Sequence, residues 1–98
     1  MLIVGGHFDV DPKDREQFIA DRVENMRASR AEEGCISYAF MADPIEPGRV
    51  VLYERWESPE ALAAHLERLG SAARPAHDIA VLGVEVLRYD IAQVLPLR

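Results

Sequence analysis

Glu54, Trp56 and His65 are the side chains of this chain best suited to chemistry, and they fall close together. Arg49–Glu57 alternates as a strand does, placing Val50, Leu52, Glu54 and Trp56 on one side and Val51, Tyr53, Arg55 and Glu57 on the other. Ser58-Pro59 reads as a helix cap followed by proline at the first helical position. The helix expected from Pro59 to about Leu69 carries Ala61, Leu62, His65, Leu66 and Leu69 on one stripe, with Gly70 as its stop. That strand, turn and helix would bring His65 back over Glu54 and Trp56. A carboxylate on an apolar face must be paired or protonated, and a raised pKa suits a general base. The plainer alternative is a structural Glu54 in a hydrogen-bond network. His65 is either a group that exchanges a proton near neutral pH, or a satisfied core histidine. Trp56 is either an aromatic pocket wall or the largest core residue.

Other polar residues bear on the same question. Tyr38, Tyr53 and Tyr89 can offer hydroxyls to a pocket, although buried tyrosine is commonly packing. Arg22 and Asn25 sit at the edge of an apolar helical stripe and could cap a pocket mouth. Cys35 reads as a small buried hydrophobe; no histidine is placed beside it by local sequence, which weakens a nucleophilic role. His7 is expected at a surface or interface. His7, His65 and His77 have no metal-ligand spacing, and neither a phosphate loop nor a dinucleotide fingerprint occurs, so no metal is expected.

The chain is 98 residues long, enough for one small domain over 1–98, and 49% of it is hydrophobic, which permits a packed core. A net charge of -6 argues against a nucleic-acid partner and against an anionic membrane surface. The single cysteine cannot close an internal disulfide, which suits a reducing compartment. No apolar run approaches the ~18 residues of a membrane span. Met1–Gly6 is too short for a signal core and lacks a basic lead-in, so a cytoplasmic location is expected.

The elements that must position these groups follow in order. Residues 2–9 read as a strand weakened by Gly5-Gly6; a regular strand groups Ile3, Gly5 and His7 on one face, and a bulge would exchange the faces. Asp11-Pro12 starts a helix expected to run to Glu32 on a stripe of Phe18, Ile19, Val23 and Met26, with Gly34 as a left-handed stop. Cys35–Ala42 reads as a second strand, with Ile36, Tyr38 and Phe40 opposite Cys35, Ser37, Ala39 and Met41. Asp43–Gly48 is a hairpin turn into the third strand. Residues 71–83 hold Pro75 and one or two further helical turns over His77–Leu82, after which Gly83 opens a fourth strand, Val84 to about Val94. The order β-α-β-β-α-β is the ferredoxin-like pattern of an α+β fold with a four-stranded antiparallel sheet. Two helices cover one sheet face only. Apolar residues on both faces of the middle strands therefore predict a second copy against the other face, a homodimer closing a dimeric α+β barrel.

Glu33-Gly34-Cys35 with Tyr38, Pro44 and Pro47, then Tyr53-Glu54-Arg55-Trp56 and Glu60-Ala61-Leu62-Ala63-Ala64-His65, together resemble the antibiotic biosynthesis monooxygenase family over roughly residues 1–69. The resemblance implies the same dimeric barrel. It further implies a pocket between sheet and helices, lined at the positions of Trp56 and His65. On this reading His65, Glu54 and Trp56 carry the chemistry, while Tyr38, Leu52, Leu62, Arg22 and Asn25 contact substrate. The implied activity is cofactor-independent monooxygenation of a small aromatic or quinol-like molecule by molecular oxygen, with no cofactor. The alternatives are a non-catalytic barrel binding a small hydrophobic ligand, and an isomerase or haem-degrading enzyme on the same scaffold. Two departures stand out. The quinone-forming relatives often have Asn where this chain has Leu52, and the haem-degrading type needs an Asn on the first strand, where residues 2–9 have none.

Overall fold

Paired strands decide which side chains can meet a helix layer, and here the register is unambiguous. A computed structural model describes all residues, Met1–Arg98. The elements are β1 (Leu2–Val10), a 3-10 turn (Pro12–Asp14), α1 (Arg15–Ala20), α2 (Val23–Arg30), β2 (Cys35–Ala42), β3 (Arg49–Trp56), α3 (Pro59–Ser71) and β4 (Val81–Asp90). The strands form one antiparallel sheet in the order β2-β3-β1-β4, the ferredoxin-like α+β arrangement. Leu2, Val4, Gly6 and Phe8 of β1 lie opposite Trp56, Glu54, Leu52 and Val50 of β3, so these side chains share the helix-covered face. On the opposite face, β1 is regular enough to align Ile3, Gly5 and His7 with Arg55, Tyr53 and Val51. His7 thus points away from the helices, beside Asp9, with Nε2 3.7 Å from the carboxylate. Gly6 has φ of +155°, and a Cβ there would lie 1.9 Å from the Glu85 carbonyl oxygen; only glycine lets β4 come this close.

The expected helix from Pro12 to Glu32 is instead broken into three pieces. Asp11 caps the start, accepting from the Lys13 N–H, but the first turn is 3-10. At Arg22 the backbone N–H bonds to the Ile19 carbonyl at 3.0 Å, and the Arg22 guanidinium donates to the Phe18 carbonyl at 2.9 Å. The side chain has taken the acceptor that a continuing α-helix would give to the backbone, and the axis breaks there. Gly34 behaves as expected, with φ of +84°, and a Cβ at this position would sit 2.5 Å from the Ala61 Cβ of α3.

Three further expectations change. The β2–β3 register shifts between Cys35 and Ser37, so a bulge at Ile36 brings Cys35 opposite Trp56 on the helix face, the reverse of simple alternation. Gly70 does not stop α3, which continues to Ser71, where Ala72 turns extended at ψ 157°. The segment after α3 forms no helical turn at 77–82; Val81 already pairs with Val10 in β4. That strand stops at Asp90, short of Val94, because its partner β1 ends: Asp90 pairs with Leu2, and Ile91 makes a last bond to the Met1 carbonyl.

Candidate active site

β3 and α3 hold the core of the site as the alternation requires. Glu54 and Trp56 point inward two residues apart, and the Trp56 indole N–H donates to Glu54 Oε1 at 2.9 Å. The Ser58 hydroxyl accepts from the Ala61 N–H at 3.1 Å, fixing the first turn of α3. The buried stripe of that helix then delivers Leu62 and His65 onto the sheet. The His65 ring lies 4.6 Å from Trp56 and 5.2 Å from Tyr38 between centroids. Trp56 is 0% exposed, His65 1% and Glu54 5%.

Glu32, just beyond α2, completes the constellation. Its carboxylate approaches His65 Nδ1 at 3.1 and 3.3 Å, and Arg68 Nε donates to the same carboxylate from the outer side. Arg68 also donates to the Asn25 side-chain oxygen at 3.0 Å and to Ser29 Oγ at 3.1 Å, while Asn25 Nδ2 donates to the Tyr38 hydroxyl at 3.1 Å. His65 Nε2 is buried with no hydrogen-bond partner, 3.9 Å from Glu54 Oε1. Sequence reasoning missed Glu32 because its partners are 33 and 36 positions further along the chain. A charged residue one step before the helix-ending Glu33-Gly34 was the only local hint.

Burial sets the electrostatics. It pushes the Glu54 carboxyl up, against the lowering effect of the Trp56 N–H. Burial also pushes the His65 imidazole down, although the Glu32 charge pulls the other way. Nδ1 is therefore oriented by a carboxylate while the ring favours its neutral form, the state a base requires. Tyr38 and Cys35 are both raised, chiefly by burial. A thiol held protonated in this way suits packing rather than attack.

The expected residues fall into two groups. Tyr38, Trp56 and Leu62 share one core cluster with Leu2, and His65 lies against the Tyr38 and Trp56 rings. Leu52 is buried on the same face opposite Gly6 and Phe40. Arg22 and Asn25 instead border a cleft of about 490 Å³ between α2 and the end of α3, together with Arg68, Leu69 and Arg74. His65 and Trp56 do not line this cleft. Arg68 and Asn25 belong to both regions: they face the cleft and bond to the groups behind it. No group of three or more His, Cys, Asp or Glu side chains is arranged to hold a metal ion.

The antibiotic biosynthesis monooxygenase family model matches residues 1–73, which spans the Glu32 turn, the Glu54–Trp56 strand and the His65 helix. The chain belongs to the antibiotic biosynthesis monooxygenase family. An uncharacterised protein of Synechocystis sp. is 31% identical over 98 residues, covering 98% of this chain and 67% of that protein. YcnE of Bacillus subtilis, which carries the provisional name of a monooxygenase, is 30% identical over 67 residues, covering 68% of this chain and 70% of its own. Among solved structures, a Deinococcus radiodurans protein provisionally assigned to the same family superposes with a TM-score of 0.76 at 18% identity, covering 100% of this chain and 99% of that one. At that identity the likeness speaks for the fold. The family match leaves β4 and the tail outside it. No helix is long and apolar enough to cross a membrane.

Proposed function

We propose that this member of the family is a cofactor-independent monooxygenase acting on a small phenol or quinol. The observation that carries this reading is the pairing of buried His65 with half-buried Glu32, tied through Arg68 to the wall of an open cleft. Substrate occupies the cleft with its hydroxyl against Asn25 and Arg68. Outward rotation of the Arg68 side chain, which is 35% exposed, opens the way to Glu32 and His65. The pair takes the hydroxyl proton, leaving an aryloxide whose ring carbon is electron-rich enough to reduce molecular oxygen. One electron passes to oxygen, the two radicals join as a ring peroxide, and the O–O bond then breaks. One oxygen atom stays on the ring as the new quinone carbonyl, and the other leaves as water with the two displaced hydrogens. Glu54, whose pKa burial raises, lies beside His65 Nε2, where its protonated form would supply a proton. Trp56 and Tyr38 pack against the imidazole, the first tilted and the second edge-on.

Oxygen consumption over a panel of hydroquinones tests the reading, comparing wild type with His65→Gln and Glu32→Gln. Uptake that disappears in both variants is expected; no uptake with any quinol, or unchanged uptake in the variants, overturns it. One observation favours a second reading, a ligand-binding barrel without turnover. Trp56 and His65 are both sealed from the cleft. On that reading quinols bind without oxygen uptake.

The uncovered sheet face supports assembly as a homodimer. Met41, Tyr53, Leu87 and Tyr89 project there with 36% to 51% of their surface exposed, and the α layer lies wholly on the other side. Sedimentation at micromolar concentration is expected to give twice the 11.0 kDa chain mass.

A further inference from the structure

The chain carries a net charge of -6, yet Arg22, Arg68 and Arg74 border one cleft. Arg68 is committed to Glu32. The two acids on the same cleft are committed as well. Asp21 bonds to Gln17 at 2.7 Å and to His77 at 2.9 Å, and Glu24 pairs with Arg27. Arg22 and Arg74 make no salt bridge. Arg22 and Arg74 are thus the arginines of the cleft that no carboxylate pairs directly, although Asp21 keeps its charge beside Arg22.

Arg22 is also fixed in place. Its guanidinium donates to the Phe18 carbonyl and lies 3.4 Å from the centre of the Phe18 ring. Burial disfavours its charged form, the Asp21 charge offsets this in part, and a bound anion would offset it further. Arg22 and Arg74 together also edge an adjoining depression of about 380 Å³, which Asp78 lines as well, so both arginines border the two hollows. The rest of the main cleft is small and apolar at Ala28 and Leu69, and its volume suits one aromatic molecule.

We propose that this cleft binds an aromatic carboxylic acid, with its carboxylate held by Arg22 and Arg74 and its ring against Ala28 and Leu69. The orientation of the ring hydroxyl toward Asn25 and Arg68 rests on the monooxygenase reading above; the pairing of carboxylate with Arg22 and Arg74 does not. A guanidinium pair recognises a planar carboxylate through paired N–H donors, which a neutral quinol cannot engage.

Calorimetric titration of the full chain with 2,5-dihydroxybenzoate and with hydroquinone tests this. The acid is expected to bind at least about tenfold more tightly than hydroquinone, as one charge-assisted contact implies. Arg22→Gln and Arg74→Gln should each remove about tenfold of the acid's affinity, and Arg74→Gln should leave that of hydroquinone unchanged. Equal affinity for the two compounds, no binding of the acid, or a preference that survives both substitutions overturns the proposal. Arg74 is exposed, so its variant decides the matter even if Arg22→Gln does not fold. Arginine-dependent binding without oxygen uptake would sustain this inference and sink the monooxygenase. Oxidation of hydroquinone with no preference for the acid would do the reverse.

Discussion

The helix-covered face of the sheet has two ends built on different terms. At one end Val10, Phe18 and Val50 pack with Phe8, Phe40 and Ile19, and the three phenylalanine rings stand 5.8 to 6.5 Å apart. No ionisable group is buried within it; the Arg22 guanidinium lies against the Phe18 ring from outside. At the other end Leu2, Tyr38, Trp56 and Leu62 surround a carboxyl and an imidazole. The buried polar residues of the chain, Ser29, Glu54 and His65, all take part in this second end. A chain with only 11 buried residues has few to give, and burying ionisable groups costs stability. Such groups cluster where function requires them. The first end is therefore read as foundation and the second as working site.

Phe18→Ala should produce the largest loss, about 3–5 kcal/mol in urea unfolding, from the cavity left in the apolar end. His65→Phe tests the other end. An apolar ring in a largely apolar surround should change stability by less than about 1.5 kcal/mol while abolishing any quinol oxidation. A loss as large as that of Phe18→Ala would erase the distinction between the ends.

Titration sharpens the contrast further. The pKa of His65 is lowered by folding, so its contribution is present above the ordinary value of 6.5 and is lost as pH falls from there through the folded value. His65→Gln should remove that acid-side loss, whose limiting slope is about 1.4 kcal/mol per pH unit. Glu54 is raised, so its contribution is present below the ordinary value of 4.5 and is lost as pH rises through the folded value. Glu54→Gln keeps an acceptor for the Trp56 N–H and should flatten the alkaline side of the stability profile. Denaturation midpoints measured from pH 4 to 8 check both, and parallel profiles for variant and wild type would refute the assignments. The smallest effect belongs to Asn25→Ala, which frees the Tyr38 hydroxyl and should cost about 1 kcal/mol by thermal unfolding.

Sequence pattern was a good guide wherever one element was enough. Period two placed Glu54 and Trp56 together, the Ser58-Pro59 signal set the phase of α3, and Gly34 marked a true left-handed turn. Failures came where one group takes another's place, near or far along the chain. The Arg22 side chain captures the Phe18 carbonyl and breaks a helix whose apolar stripe runs on without interruption. The Ile36 bulge turns Cys35 over, an event no alternation rule announces. The extent of β4 is set by where β1 runs out, which β4's own residues do not encode. Glu32 is the most telling case. Its helix-end position is ordinary, and only the return of α3 gives it His65 and Arg68.

Gly34 has a consequence for that meeting. It follows Glu32 by two residues, and a single missing methyl group lets it seat against Ala61, which lies one helical turn before His65 on α3. Glycine here works as a gauge block between two moving parts. Because α3 is stiff, any thickness added at position 34 is carried along its axis to the imidazole, opening the gap to Glu32. The separation of Glu32 from His65 is thus set by an atom that is absent.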